Sequence, residues 1–239
     1  ILVTGGCGFI GSCFVINQVK QGNFVINLDK LTYAANPNNL KEIQTSQNYH
    51  FIQGDLSDPT SIERAVNEIQ PTHVIHLGAL QTPDCRDFPI KGLEVNVLGT
   101  AYLFRACQRL SNPLERFVFA SSSAVNGNRS LYGESGVRPE DPYHPFNLYG
   151  YWKVSGEGMA QAFHQACGTP TVSLRLATTY GPGRDRGFTA AMTSALKTVA
   201  KGGSYEIPYR GKENYHFSFS KNLFIFPSIS CCFCVIKKL

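Results

Sequence analysis

The sequence predicts an α/β fold: a doubly wound parallel sheet with helices on both faces. Three observations carry that expectation. Short apolar runs alternate along the chain with segments of helical spacing. The apolar runs are nearly continuous, which suits strands buried on both sides. A glycine-rich turn joins the first run to the first helical segment.

The elements follow in order. ILVTGG (1–6) is a short strand ending in glycine, and IGSCFVINQVKQG (10–22) has helical spacing. FVINLDK (24–30) reads as a buried strand, and YHFIQGDLSD (49–58) as a third strand running into a turn. SIERAVNEIQ (61–70) is helical, with Asp58-Pro59 as its start signal. THVIHLGA (72–79) is a fourth strand, followed by a long helix over about 92–110. RFVFASSS (116–123) is a fifth strand, a helix covers about 148–167, and TVSLRLATTYGPG (171–183) supplies a sixth strand.

Composition narrows the class. The chain has 239 residues, 43% hydrophobic and 16% charged, as in an ordinary globular protein. Its net charge of +5 is scattered, with no basic run interleaved with aromatics, so a nucleic-acid partner has no support. Cys7, Cys13, Cys85, Cys107 and Cys167 stand apart from one another, with no C-x-x-C pair among them. Free thiols in a reducing, cytoplasmic setting are the expectation, and no metal site is expected.

The first turn, T-G-G-C-G-F-I-G (4–11), places Gly5, Gly8 and Gly11 in G-x-x-G-x-x-G spacing. Glycine lets the backbone turn tightly and approach a pyrophosphate, while the next helix aims its N-terminal amides at the phosphates. Phe9 and Ile10, inside the motif, are candidate contacts as well. Asp29 ends the next strand, where its carboxylate can accept the adenosine ribose hydroxyls and repel a 2′-phosphate. NAD is therefore expected over NADP, a preference that the adjacent Lys30 softens.

Tyr149 and Lys153 form Y-x-x-x-K, one helical turn apart on one face. A tyrosine of ordinary pKa near 10 is a weak base, but a nearby ammonium and a nicotinium ring both favour the phenolate. Ser122 ends the fifth strand and can hydrogen-bond the same substrate hydroxyl. Behind a dinucleotide loop, these three suit hydride transfer at a carbinol carbon.

TGGCGFIG, GDLSD (54–58), HLGA (76–79), EVNVLGT (94–100), SSSAVNG (121–127), YGYWK (149–153) and YGPG (180–183) occur in that order. Over about residues 1–217 the chain resembles the extended short-chain dehydrogenase/reductases, also called the NAD-dependent epimerase/dehydratase family. The resemblance implies a Rossmann-like NAD-binding domain over 1–183 and the start of a substrate-binding domain over 184–217. It implies that Asp55 and Leu56 flank the adenine, that Leu77, Gly78 and Ala79 line the cofactor cleft, that Asn96 braces the helix beneath it, and that Tyr180 lies near the nicotinamide. It also implies a nucleotide-sugar substrate and a homodimer paired through the helices near 92–110 and 148–167. Tyr102, Leu103, Ala106 and Cys107 either contribute to that face or fill an internal one.

Two activities compete within the resemblance. VINLDKLTYAANPNNL (25–40) is similar to dTDP-glucose 4,6-dehydratases, which carry an Asp-Glu pair where this chain has Ser123 and Ala124. Neither of these can serve as a general acid or base. The favoured expectation is an NAD-dependent nucleotide-sugar epimerase working by transient hydride transfer through a keto-sugar; a dehydratase or decarboxylase is the alternative. Asn126 stands where a Tyr is usual, and Thr178 where an Asn commonly contacts the nucleotide-sugar. Gln81, Thr82 and Arg175 are expected on the substrate side, with a structural ion pair as the other reading of Arg175.

From Phe217 the sequence reads FSFSKNLFIFPSISCCFCVIKKL, an abrupt change of character. Lys221 and Pro227 interrupt the apolar run, so it is too short to span a membrane. Residues 218–239 are expected to be an atypical tail outside the domain, with the substrate-binding domain truncated. A catalytically inactive NAD-binding fragment is therefore a third reading.

Overall fold

The computed structural model describes residues 1–132, 136–181, 183–184 and 190–206, and the backbone of 217–219. The elements are β1 (Leu2–Thr4), α1 (Phe9–Lys20), β2 (Val25–Asp29), β3 (Tyr49–Gln53), α2 (Pro59–Ile69), β4 (His73–His76), α3 (Thr82–Asp87), α4 (Pro89–Leu93), α5 (Gly99–Gln108), β5 (Arg116–Ser122), α6 (Leu148–Cys167), β6 (Thr171–Leu176), β7 (Thr178–Tyr180), α7 (Ala191–Ala200) and β8 (Phe217–Phe219). A π-helical stretch, Glu94–Leu98, joins α4 to α5. The helix expected as one piece near 92–110 is thus a composite, and α3 precedes it.

Six strands form one parallel sheet in the order β3-β2-β1-β4-β5-β6. The order reverses between β1 and β4, and the crevice outside the strands' carboxyl ends at that point is where such sheets hold ligands. Neighbouring residues in each strand serve opposite faces. Leu2, Ile26, Val74 and Phe117 pack with Ile62, Leu103 and Phe163 of α2, α5 and α6. Val3, Val25, Ile75 and Val118 pack with Phe14, Val15 and Val19 of α1. Burial on both faces is why the strands read as continuous apolar runs.

Leu103, Ala106 and Cys107 are buried in the chain's own core, with Tyr102 packed against it. Phe104 bridges the layers, its ring 4.3 Å from that of Phe117 and 4.9 Å from that of Phe163. These α5 positions therefore fill an internal face.

The run expected as one sixth strand over 171–183 divides. β6 pairs with β5 as far as Ser122↔Leu176. Beyond Ser122 the chain turns into a 3-10 segment, Ser123–Val125, and offers β6 no further edge. The chain instead continues as β7, which pairs in parallel with β8 in a second, two-stranded sheet. The strand β8 straddles the boundary expected at residue 218, and residues 220–239 lie outside the described residues. No helix among the described residues is long and apolar enough to cross a membrane.

Candidate active site

The glycine turn is shaped by close backbone approaches. Gly5 has φ +71°, and a Cβ there would lie 2.8 Å from Gly78 Cα. A Cβ on Gly11 would lie 2.2 Å from the Gly5 carbonyl oxygen. Gly8 caps α1 with no side-chain hydrogen bond, so the first-turn amides have no side chain to satisfy them. Gly5, Gly8, Phe9, Ile10 and Gly11 line one side of a cleft of about 1110 Å³ at the sheet's carboxyl edge. An uncapped helix start facing an open cleft is a ready anion site.

Asp29 and Lys30, at the end of β2, line the same cleft. One Asp29 carboxylate oxygen accepts from Cys7 N at 2.9 Å and the other from Leu31 N at 2.8 Å, leaving lone pairs for a ligand. Lys30 is committed to Asp55, donating to its carboxylate. Burial works to raise the Asp55 carboxyl, but hydrogen bonds from Lys30 and from the backbone and hydroxyl of Ser57 outweigh it and hold the value below normal. Asp55 and Leu56 line the cleft beside Asp29.

Leu77, Gly78 and Ala79 form the opposite wall. They are fixed from behind by a hydrogen-bonded chain through buried His76. Thr100 donates its hydroxyl proton to Asn96 O at 2.8 Å, so it accepts from His76 Nε2–H at 3.0 Å. His76 Nδ1 then accepts from the Thr4 hydroxyl at 2.7 Å, and Thr4 accepts from Gly78 N at 3.0 Å. Burial, with the Lys153 charge adding to it, pushes the imidazole down to about 3, so it is neutral. The Asn96 side chain clamps Leu80, accepting from its N at 2.8 Å and donating to its O at 3.0 Å. Asn96 thus braces the loop after β4 and is outside the cleft lining.

The expected catalytic trio comes together at the other end of the cleft, where Ser122, Tyr149 and Lys153 all line it. Asn147 starts α6 by accepting from Gly150 N at 2.8 Å, which sets Tyr149 in the first turn. Ser122 accepts from Ala124 N at 3.1 Å and hydrogen-bonds the Tyr149 phenol. Lys153 is 5% exposed, and its ammonium donates to Ala120 O at 2.6 Å, 4.9 Å from the Phe119 ring centre and 5.6 Å from that of Tyr149.

Burial raises the Tyr149 phenol to about 12; the Ser122 hydrogen bond and the Arg184 charge oppose this, while Cys85 reinforces it. Burial pulls Lys153 down to about 8. The cation that favours the Tyr149 phenolate is therefore Arg184, and Lys153 donates its ammonium to the strand. Arg184 was missed in the sequence although it directly follows YGPG; its guanidinium lies 5.7 Å from the Phe9 ring and lines the cleft.

Gln81, Thr82, Asn126 and Thr178 also line the cleft. Arg175 does not; it pairs with Glu157 at 3.1 Å, the structural alternative. Tyr180 lies in β7 outside the lining residues. Among the described residues no group of three or more His, Cys, Asp or Glu is arranged to hold a metal ion.

A doubly wound sheet with a glycine turn at its switch point and a Ser-Tyr-Lys trio across the cleft defines a short-chain dehydrogenase/reductase of the extended type. The chain belongs to the NAD dependent epimerase/dehydratase family, whose model matches residues 1–223. It is 35% identical over 196 residues to a dTDP-glucose 4,6-dehydratase of Haemophilus influenzae, an alignment covering 76% of this chain and 56% of the relative. The chain thus spans about half the length of the curated relatives it matches. Among solved structures, UDP-glucose 4-epimerase of Thermus thermophilus, in complex with NAD, superposes with a TM-score of 0.78 at 31% identity, covering 93% of this chain and 71% of that one. UDP-N-acetylglucosamine 4-epimerase of Methanobrevibacter ruminantium, in complex with UDP-N-acetylmuramic acid, gives 0.81 at 27%, covering 93% of this chain and 69% of that one.

Proposed function

We propose that the chain carries the NAD-binding and catalytic portion of a nucleotide-sugar epimerase. The observation that carries this reading is the distribution of acids around the cleft. Among the described lining residues the carboxylates are Asp29 and Asp55, both at the adenosine end. Around Ser122 and Tyr149 stand Ser123, Ala124 and Asn126, none of which can deliver or remove the protons that loss of water requires.

The residues fit NAD. Gly8, with Phe9, Ile10 and Gly11, would hold the pyrophosphate against the uncapped start of α1, and Asp29 the ribose hydroxyls. NAD, when bound, supplies a hydride acceptor and a positive charge beside the phenol. Tyr149 would take the proton of the sugar hydroxyl being oxidised and return it later, with Ser122 orienting that hydroxyl. Lys153, already buried at the base of α6, would add its charge on the same side. A homodimer paired through the helices near 92–110 and 148–167 would use outward residues such as Leu98 of the π-helical stretch and Leu148 and Tyr151 of α6, which are exposed.

Dehydration remains the second reading, favoured by the 35% identity to a dTDP-glucose 4,6-dehydratase. The deciding experiment titrates the protein with NAD by calorimetry, then incubates it with UDP- and dTDP-hexoses and follows products by NMR. Sugar inversion that Tyr149→Phe abolishes supports the epimerase. A 4-keto-6-deoxy product overturns it in favour of the dehydratase. NAD binding without turnover assigns an inactive cofactor-binding fragment instead.

A further inference from the structure

Three consecutive residues at the end of β5 are each tied to α6, and only two of those ties involve the expected catalytic trio. Ala120 O accepts from Lys153, and Ser122 meets Tyr149. Between them, the Ser121 hydroxyl donates to Glu157 Oε1 at 2.5 Å. The Glu157 side chain is 8% exposed, and its carboxylate gathers donors from two further residues. Arg175 of β6 donates from Nε at 3.1 Å to Oε1 and from Nη2 at 3.1 Å to Oε2. The Tyr143 hydroxyl, from the segment before α6, donates to Oε2 at 2.9 Å, and the Arg175 guanidinium lies 4.9 Å from its ring centre. Arg175 also donates to Pro139 O at 3.3 Å.

We propose that Glu157 is a positioning residue of the catalytic centre: by holding Ser121 it sets the angle at which the adjoining Ser122 meets Tyr149. The proposal rests on the reading of Ser122 and Tyr149 as the catalytic pair. Glu157 lies outside the cleft lining, so it acts only through other residues. Its geometry suits this task. One buried carboxylate joins the end of β5 to β6, to α6 and to the segment entering α6, which are the parts whose alignment decides where Ser122 and Tyr149 meet. A buried acid with four such donors is fixed tightly, and removing one partner leaves the others buried without an acceptor.

The test uses the full chain carrying Glu157→Gln, Ser121→Ala and Ser122→Ala, singly and combined. Two readouts separate positioning from plain fold stabilisation. The first is the ionisation of the Tyr149 phenol, followed by ultraviolet difference absorbance against Tyr149→Phe; the groups acting on that phenol are Ser122, Cys85 and Arg184, and none is altered by Glu157→Gln. The midpoint is expected to move to higher pH, by about half a unit or more, as the Ser122 hydrogen bond loosens. The second is turnover of the sugar found to react. Glu157→Gln should lower kcat roughly tenfold or more with KM and NAD affinity little changed, and adding Ser122→Ala should cost much less than it does in the parent chain. An unmoved midpoint, or effects of Glu157→Gln and Ser122→Ala that simply multiply, overturns the proposal. If the parent turns over no sugar, the phenol titration alone decides it: a shift supports positioning while the epimerase reading fails.

Discussion

The Lys153 ammonium donates to the Ala120 carbonyl at 2.6 Å with almost no contact with solvent. A buried cation with one carbonyl partner is costly to the fold, and its pKa, pulled from 10.5 to about 8 chiefly by burial, expresses that cost. Between those values the unfolded chain holds a proton that the folded chain has released, so stability rises with pH across the window. Below pH 8 the cost is present in full.

Lys153→Met should remove this term. The urea midpoints of the variant and the parent, compared from pH 7 to pH 10, should converge as the parent gains stability, by about 3 kcal/mol at most. A difference that stays flat across that range would show that the ammonium is not strained by burial. Sugar turnover, where present, should fall by roughly 100-fold or more.

Asp29→Asn should weaken NAD binding by roughly tenfold to 100-fold, the loss expected for hydrogen bonds to a charged acceptor. With the negative charge gone, NADP should bind better relative to NAD, since Lys30 is nearby. Calorimetry with both dinucleotides checks this; unchanged affinities would remove Asp29 from the ribose site.

Gly8→Ala and Gly11→Ala should fail differently. At Gly11 the new methyl would sit 2.2 Å from Gly5 O and 2.7 Å from Gly6 Cα, backbone that cannot yield. That variant should melt several degrees lower and lose NAD binding. At Gly8 the nearest atom is Gly5 O at 3.2 Å, with the cleft beyond. That variant should melt near the parent temperature yet bind NAD poorly, as a fluorescence melt with and without NAD would reveal.

Much of this arrangement was legible in the sequence because it is local. The strands of the main sheet announce themselves as apolar runs, and Gly5, Gly8 and Gly11 are needed by a turn whose ends are near in the chain. Tyr149 and Lys153 share a helix face by spacing alone. The rest depends on distant partners. β6 stops at Leu176 because β5 has turned away, which nothing within residues 171–183 can signal. Arg175 could be read either way until Glu157, on another element, was brought beside it. The short helix Thr82–Asp87 was missed because six residues give too little periodicity to recognise.

The neutral His76 behind the cleft wall gives the fold a point of weakness toward acid. Its imidazole, held near 3 instead of 6.5, takes up a proton on unfolding anywhere between those values. Each pH unit lost in that interval therefore removes about 1.4 kcal/mol from the native state. Protonating Nδ1 would also set two donors face to face at Thr4, whose oxygen holds Gly78. Acidification thus attacks the wall of the cleft from inside the protein, and dinucleotide binding should be lost together with the fold's own resistance to unfolding.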